Sequence, residues 1–217
     1  MFLDALTPAF RQRLFAAGRR RHLKPGAVIY RAGSEGDSML LVETGRAEVS
    51  FHNQDGRKTT LNHVGPGELL GEFAVFDGGL RSADVIAVDD ITALELRNTD
   101  VKNTLLSDPE AMLALLQEVS RKARDSIRSV ERLSHKSAAT RLAQCILQLG
   151  DKWGEVQDDR TLIGADFSQG DIGDIAGLAR ENVNRLLRSW AKSDIVKLVD
   201  GQLHILDRPA LREIAGL

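Results

Sequence analysis

The chain has 217 residues, 42% of them hydrophobic, and a formal net charge of −2, which allows one or two domains with genuine cores and offers no general attraction to nucleic acid. No apolar run approaches membrane-spanning length, and Met1–Ala17 lacks the charged-then-apolar pattern of an export leader, so a cytoplasmic protein without a membrane anchor is expected. The single cysteine, Cys145, lies in an apolar helical run with Leu142, Ile146 and Leu149, so a buried, unreactive side chain is expected, and being alone it cannot form an internal disulfide or hold an iron–sulfur cluster.

Phe10 and Leu14 mark an amphipathic helix at the start of the chain. From His22 to Leu96, short β-prone segments alternate with turn signals: Lys24-Pro25-Gly26, Ala32-Gly33, Thr44-Gly45, Asp55-Gly56, Gly65-Pro66-Gly67 and Asp77-Gly78-Gly79. Ser38–Glu43, Ala47–His52 and Thr59–Val64 are of strand length, and Asp55-Gly56 is a strong hairpin signal. Many short strands at this spacing predict an antiparallel roll, barrel or sandwich. Asp100–Leu106 and Pro109 then open a helical part, which makes the fold class α+β.

Two short motifs within the roll carry chemistry. Gly71-Glu72-Phe73 is followed, after the Asp77-Gly78-Gly79 turn, by Arg81-Ser82-Ala83. Gly71 allows close backbone approach, Glu72 can accept from a ribose 2′-hydroxyl, and Arg81 can hold a phosphate through paired charge-assisted bonds, with Ser82 adding a donor. A cyclic nucleotide presents such a phosphate and hydroxyl. The competing structural reading is an Arg81–Glu72 ion pair bracing a surface turn. By strand alternation Asp84 shares a face with Ser82, so its carboxylate is expected near the phosphate, where it would repel it.

A long helix follows. Met112, Leu116, Val119, Ala123, Ser126, Val130 and Leu133 are spaced 4-3-4-3-4-3, an a/d seam that predicts a parallel homodimer, with a hinge at Ser134-His135-Lys136-Ser137. The competing reading is a helix packed on its own domain, and Leu113 and Leu115 off the seam suggest that its first turns do that too. Beyond it, Phe167–Arg188 reads as a helix-turn-helix. Ile172, Ile175 and Ala176 repeat at helical spacing, Gly173 permits close packing, Gly177 offers a left-handed cap, and Val183, Leu186 and Leu187 begin a second helix. Arg180, Glu181 and Arg185 stand at the N-terminal part of that helix, where base edges are read in the major groove. Arginine reads guanine O6 and N7, and glutamate accepts from cytosine N4. Arg185, Arg188 and Lys192 fall at i, i+3 and i+7 and give a local basic face despite the overall charge, while Asp158 and Asp159 can stay in solvent, so weak non-specific binding and a site-dependent complex are expected. Ile195–Leu198, Asp200-Gly201 and Leu203–Leu206 predict a hairpin, a wing, and Asp207 with Pro209 starts a last helix over Ala210–Ile214.

The recognition-helix segment resembles that of the CRP/FNR family of bacterial transcription regulators, in its cyclic-AMP-responsive branch. Arg180, Glu181 and Arg185 match the family residues that read a TGTGA-type half-site, and Gly71-Glu72 with Arg81-Ser82 resembles the phosphate-binding cassette of cyclic-nucleotide domains. The likeness runs from about Leu14 to Leu206. It implies a β-roll effector domain over residues 1–109, a dimerisation helix and hinge over 110–137, and a winged helix-turn-helix over 138–217. It further implies cyclic AMP as allosteric ligand, palindromic double-stranded DNA, a second copy of the chain and RNA polymerase as partners, and no metal. The ligand residues it implies are Leu61, Gly71, Glu72, Phe73, Arg81, Ser82, Ala83, Lys122, Ser126 and Ile127. Ser126 stands where the family carries the hydroxyl that meets the base, Lys122 matches a basic position near the pocket, and Ile127 replaces a second hydroxyl. The DNA residues it implies are Ser168, Gln169, Ala179, Arg180, Glu181, Asn184, Arg185 and Arg188. Ala179 replaces a serine, which removes one phosphate contact. The dimer residues are Met112, Leu116, Val119, Ala123, Val130 and Leu133.

Other classes find less support. His22, His52, His63, His135 and His204 show no paired spacing that would suit a haem gas sensor. No nucleophile–base pair or metal-ligand cluster points to an enzyme. A regulator of the same fold that is constitutive or takes cyclic GMP or a cyclic dinucleotide, and a cyclic-nucleotide-binding subunit that does not act on DNA, remain as alternatives.

Overall fold

The computed structural model describes residues 2–52, 58–105, 107–134, 137–157, 160–163 and 167–217. The predicted Asp55-Gly56 turn, His135 and Lys136 of the hinge, and Asp158 and Asp159 lie outside the described residues. The chain divides into two compact units, Met1–Ser126 and Ile127–Leu217.

In the first unit, a single 3-10 turn at Leu3–Ala5 precedes α1 (Pro8–Ala17). Thr7 caps this helix by accepting from the Phe10 N–H at 3.2 Å, Pro8 starts it, and Phe10 and Leu14 are its buried face. Eight strands follow: β1 (Arg19–Leu23), β2 (Val28–Tyr30), β3 (Ser38–Thr44), β4 (Ala47–His52), β5 (Lys58–Val64), β6 (Leu69–Leu70), then, after the short helix α2 (Glu72–Asp77), β7 (Asp84–Ala87) and β8 (Ile91–Arg97). They form two antiparallel sheets, ordered β1-β8-β3-β6 and β2-β7-β4-β5, the roll expected from the turn spacing. β3 is buried from Ser38 to Val42 without alternation because both its faces are covered: Leu40 and Val42 join the cluster of Val64, Val85 and Ile91, while Met39 and Leu41 join that of Phe10, Leu14 and Leu105. α2, between two glycines in left-handed conformation, was not expected from the sequence.

Two helices continue the chain, α3 (Asn98–Leu105) and the long α4 (Pro109–Ser134). Asp108 accepts from the Ala111 N–H at 3.1 Å at the start of α4. Ala111, Ala114 and Leu115 are buried against the first core, with Met112 and Val119 packed beside them. Of the residues of the predicted seam, Leu116, Ala123 and Val130 are exposed, whereas Met112 and Val119 pack against their own domain; Leu113 and Ile127 are further exposed apolar residues of the helix. Arg121 ties the helix to the roll, donating to the buried Glu68 and Glu118 at 2.6 Å each and to Asp125 at 3.0 Å.

The second unit holds the end of α4, α5 (Ala138–Trp153), the hairpin β9 (Gly154–Gln157) and β10 (Arg160–Ile163), α6 (Gln169–Ala176), α7 (Arg180–Lys192), the wing β11 (Val196–Val199) and β12 (Gln202–Ile205), and α8 (Arg208–Ala215). Its four-stranded sheet runs β11-β12-β10-β9. The β9–β10 hairpin was not read from the sequence. Asp200 and Gly201 take φ of 50° and 83°, the two positive values a tight hairpin turn requires, and Val199 pairs with Gln202 across it. Asp207 caps α8 by accepting from the Ala210 N–H at 2.8 Å. Leu142, Cys145, Ile146, Ile172, Ile175, Val183, Leu187 and Trp190 build the core. The last turn of α4 packs into this unit. Arg132, buried, donates to Gln148 Oε1 and, at 3.3 Å, to Ser129 Oγ, and Leu133 lies against Gly177. Among the described residues no helix is long and apolar enough to cross a membrane.

Candidate functional site

A cavity of about 120 Å³ opens in the first unit, and it gathers Leu61, Gly71, Glu72, Phe73, Arg81, Ser82, Ala83, Lys122 and Ser126 from β5, α2, the segment before β7 and α4. Ile127 is outside it and 66% exposed. Tyr30, Val49 and Val85 also line it, isolated residues on separate strands that form no local motif, as do Asn62 and Asp125, the chain neighbours of Leu61 and Ser126.

Arg81 is buried, with Nη1 donating to the Gly71 carbonyl at 2.8 Å and Nη2 to that of Ser38 at 2.6 Å. Its guanidinium carbon sits 3.7 Å from the centre of the Tyr30 ring, and among the described residues Nε has no acceptor. Among the described residues Arg81 pairs with no carboxylate. A cation buried without an anion is costly, and the opening beside it is where an anionic ligand would offset that cost. Glu72, also buried, is paired instead with Lys122, whose Nζ donates to Glu72 Oε1 at 2.8 Å and to the Leu69 carbonyl. The Arg81–Glu72 surface pair considered from the sequence is therefore not what braces this turn. A carboxylate accepts about four hydrogen bonds, so Glu72 keeps capacity for a hydroxyl. The Ser126 hydroxyl donates to the Lys122 carbonyl one turn back, at 3.0 Å.

Asp84 corrects an expectation. β7 starts at Asp84, so the alternation counted from Ser82 does not hold, and Ala83 and Val85 face the cavity while Asp84 does not line it. Asp84 accepts from the Ala32 N–H at 2.9 Å, which with His52 at 3.3 Å holds its carboxyl below the usual range. Burial pushes the Tyr30 phenol up to about 12, so the ring beside Arg81 stays neutral.

In the second unit, Ser168 and Asp171 cap α6 reciprocally: each side chain accepts from the other's backbone N–H, at 3.2 and 2.8 Å. Gly177 ends α6 in left-handed conformation, φ 65°, and Arg141 donates to the Ala176 carbonyl just before it. Gly173 is where α6 meets the start of α7, since an added Cβ would lie 2.7 Å from the Leu178 carbonyl oxygen. Val183, Leu187 and Trp190 anchor α7 in the core. That leaves Arg180, Glu181, Arg185, Arg188 and Lys192 exposed, with Ala179 exposed as its N-cap. Arg185 donates to Asn182 at 3.2 Å, Asn184 is half-buried, and Ser168 and Gln169 stand at the start of α6. This is a helix-turn-helix with a wing, its second helix presenting a basic, exposed face led by two arginines and a glutamate.

Known proteins agree with both halves. Residues 20–108 match the family model of the cyclic nucleotide-binding domain, and residues 140–214 that of the Crp-like helix-turn-helix domain. The cyclic AMP receptor protein of Thermus thermophilus is 30% identical over 199 residues, 91% of this chain and 88% of that protein. A CRP-like cAMP-activated global transcriptional regulator of Mycobacterium tuberculosis is 24% identical over 86% of this chain and 83% of its own length. The crystal structure of a CRP/FNR family transcriptional regulator from Thermus thermophilus superposes with a TM-score of 0.72 at 25% identity, covering 92% of this chain and 99% of that one. With a cyclic nucleotide-binding domain joined to a DNA-binding helix-turn-helix, this chain belongs to the CRP/FNR family of transcription regulators.

Proposed function

We propose that the protein is a homodimeric regulator whose DNA affinity is set by cyclic AMP bound in the β-roll cavity, and that it reads a TGTGA-type palindrome and works with RNA polymerase. The observation that carries this reading is Arg81: a buried guanidinium that, among the described residues, is paired with no carboxylate, beside Ser82, Glu72, Lys122 and Ser126 in one cavity. Arg81 and Ser82 suit the cyclic phosphate, Glu72 the ribose hydroxyl and Ser126 the base. The cyclic AMP receptor protein of Thermus thermophilus, so named, supports the choice of nucleotide.

A ligand shifts a two-state protein only by binding one state better. Ser126 stands on α4, so nucleotide held between the roll and Ser126 would favour one arrangement of that helix and of its partner. Two recognition helices set about 34–36 Å apart would then enter consecutive major grooves, where each good contact from Arg180, Glu181 or Arg185 discriminates by about 1–3 kcal/mol. Calorimetric titration with cyclic AMP, cyclic GMP and a cyclic dinucleotide tests the ligand. Wild type should bind cyclic AMP and Arg81→Ala should lose about 2–5 kcal/mol of affinity. Equal binding by the two proteins excludes this site. The regulation is tested by DNA affinity for a TGTGA palindrome with and without saturating nucleotide.

A second reading, a constitutive regulator, draws on the Lys122–Glu72 pair, which already engages the carboxylate meant for the ribose. Unchanged DNA affinity on adding nucleotide would favour it.

A further inference from the structure

Tyr30 ends β2, and its ring forms part of the cavity wall. The guanidinium of Arg81 lies over that ring at 3.7 Å from its centre, well inside the roughly 6 Å reach of a cation–π contact. In the plane of the guanidinium, the Gly71 and Ser38 carbonyls take one N–H from each Nη. A ring on one face and two carbonyls at the edge leave the group little freedom. Of the five N–H groups of an arginine, two are used in this way, and Nε is buried without an acceptor among the described residues.

Gly71 locks the arrangement. It is left-handed, φ 79°, and a Cβ there would come 2.3 Å from Arg81 Nη1 and 2.8 Å from Tyr30 Cε2, so glycine backbone, guanidinium and ring interlock. The choice of partner matters chemically. A carboxylate facing Arg81 would neutralise it and compete with an incoming phosphate, whereas the π face of a neutral phenol steadies the cation and leaves its remaining N–H groups for a ligand.

We infer that Tyr30 is the positioning residue of this site: its ring holds the Arg81 guanidinium in place and oriented for an anionic phosphate before the ligand arrives. The inference rests on the reading of the cavity as a cyclic-nucleotide site. Cyclic AMP titrations of the full chain should show Tyr30→Phe binding within about twofold of wild type and Tyr30→Leu about thirtyfold weaker, the loss expected for a desolvated cation–π contact, with circular dichroism showing all three folded. A second measurement needs no nucleotide. The Arg81 Nε–Hε resonance, assigned by its loss in Arg81→Lys, should be sharp in wild type and Tyr30→Phe and broadened in Tyr30→Leu. An unchanged affinity or an unchanged resonance in Tyr30→Leu overturns the inference. If wild type binds none of cyclic AMP, cyclic GMP or a cyclic dinucleotide, the site reading falls, and the resonance alone decides whether the ring fixes Arg81.

Discussion

Replacing Gly173 with alanine tests how the helix-turn-helix is held together. A Cβ at this buried position would meet the Leu178 carbonyl oxygen at 2.7 Å and Val183 Cγ2 at 3.5 Å. The nearer atom is backbone, part of the turn whose Leu178 N–H donates back to the Gly173 carbonyl at 2.8 Å, so it cannot rotate aside. Overpacking of this kind costs about 1–3 kcal/mol, the upper half applying against backbone, and the better helix propensity of alanine returns about 1. A net loss of about 1–2 kcal/mol should lower the melting midpoint of the second unit by roughly 4–16 °C, at about 4–8 °C per kcal/mol for a domain of this size. Gly170, three residues earlier in the same helix, has nothing nearer its added Cβ than Ser168 Oγ at 3.4 Å. Gly170→Ala should therefore raise the midpoint slightly, by about 0.5 kcal/mol of stability. Differential scanning calorimetry of the two variants gives the contrast, and binding to an operator below the transition shows whether Arg180 and Glu181 have moved. The reasoning is refuted if Gly173→Ala melts and binds DNA as wild type does.

The exposed stripe on α4 predicts that Leu113→Glu combined with Val130→Glu yields folded monomers in sedimentation, whereas Met112→Glu, aimed into the domain core, lowers stability instead. Glu181→Ala should relax specificity at one base pair by about 1–3 kcal/mol while leaving nucleotide titrations unchanged, as competition with singly altered operators would show. Burial pushes the Cys145 thiol from 9.0 up to about 11, so the folded protein should resist alkylation at pH 8 and react only in denaturant. The unfolded chain releases this proton first, so Cys145 should make stability fall as pH rises between 9.0 and about 11, a slope that Cys145→Ala would lack in denaturant titrations.

What the sequence made legible was local chemistry. Gly177 and Asp200-Gly201 each declare a backbone geometry that few other residues satisfy, Asp207 declares a helix cap, and the second helix of the motif, with its exposed arginines, follows from the spacing of Val183, Leu186 and Leu187 after Gly177. The cassette residues Glu72, Arg81 and Ser82 were legible for the same reason, being close in the chain. What escaped depends on distance or on choice between faces. Tyr30 reaches Arg81 across 51 positions, which no spacing rule detects. On α4, two apolar stripes flank the shared positions Leu116, Ala123 and Val130, and heptad spacing cannot tell which of them the chain's own core will claim. The Met112–Val119 stripe went inward because Ala111, Ala114 and Leu115 beside it fill the space next to Leu105. Asp84 was misplaced by counting alternation through residues that precede the strand.

The packing of Arg132 and Leu133 bears on how this protein could be cut. A DNA-binding fragment taken from Ser137, the cap of α5, would begin at a natural helix start and look complete. It would nevertheless leave Gln148 without the guanidinium that covers it and the Gly177 turn without the leucine that lies against it, stripping support from the bend that aims the recognition helix. A fragment beginning at Ile127 keeps both contacts. The usable start of the reading head thus lies inside a continuous helix, and any chimera joining this operator specificity to a foreign sensor should be spliced helix to helix, in register, ahead of Ile127 rather than at the break where one helix ends and the next begins.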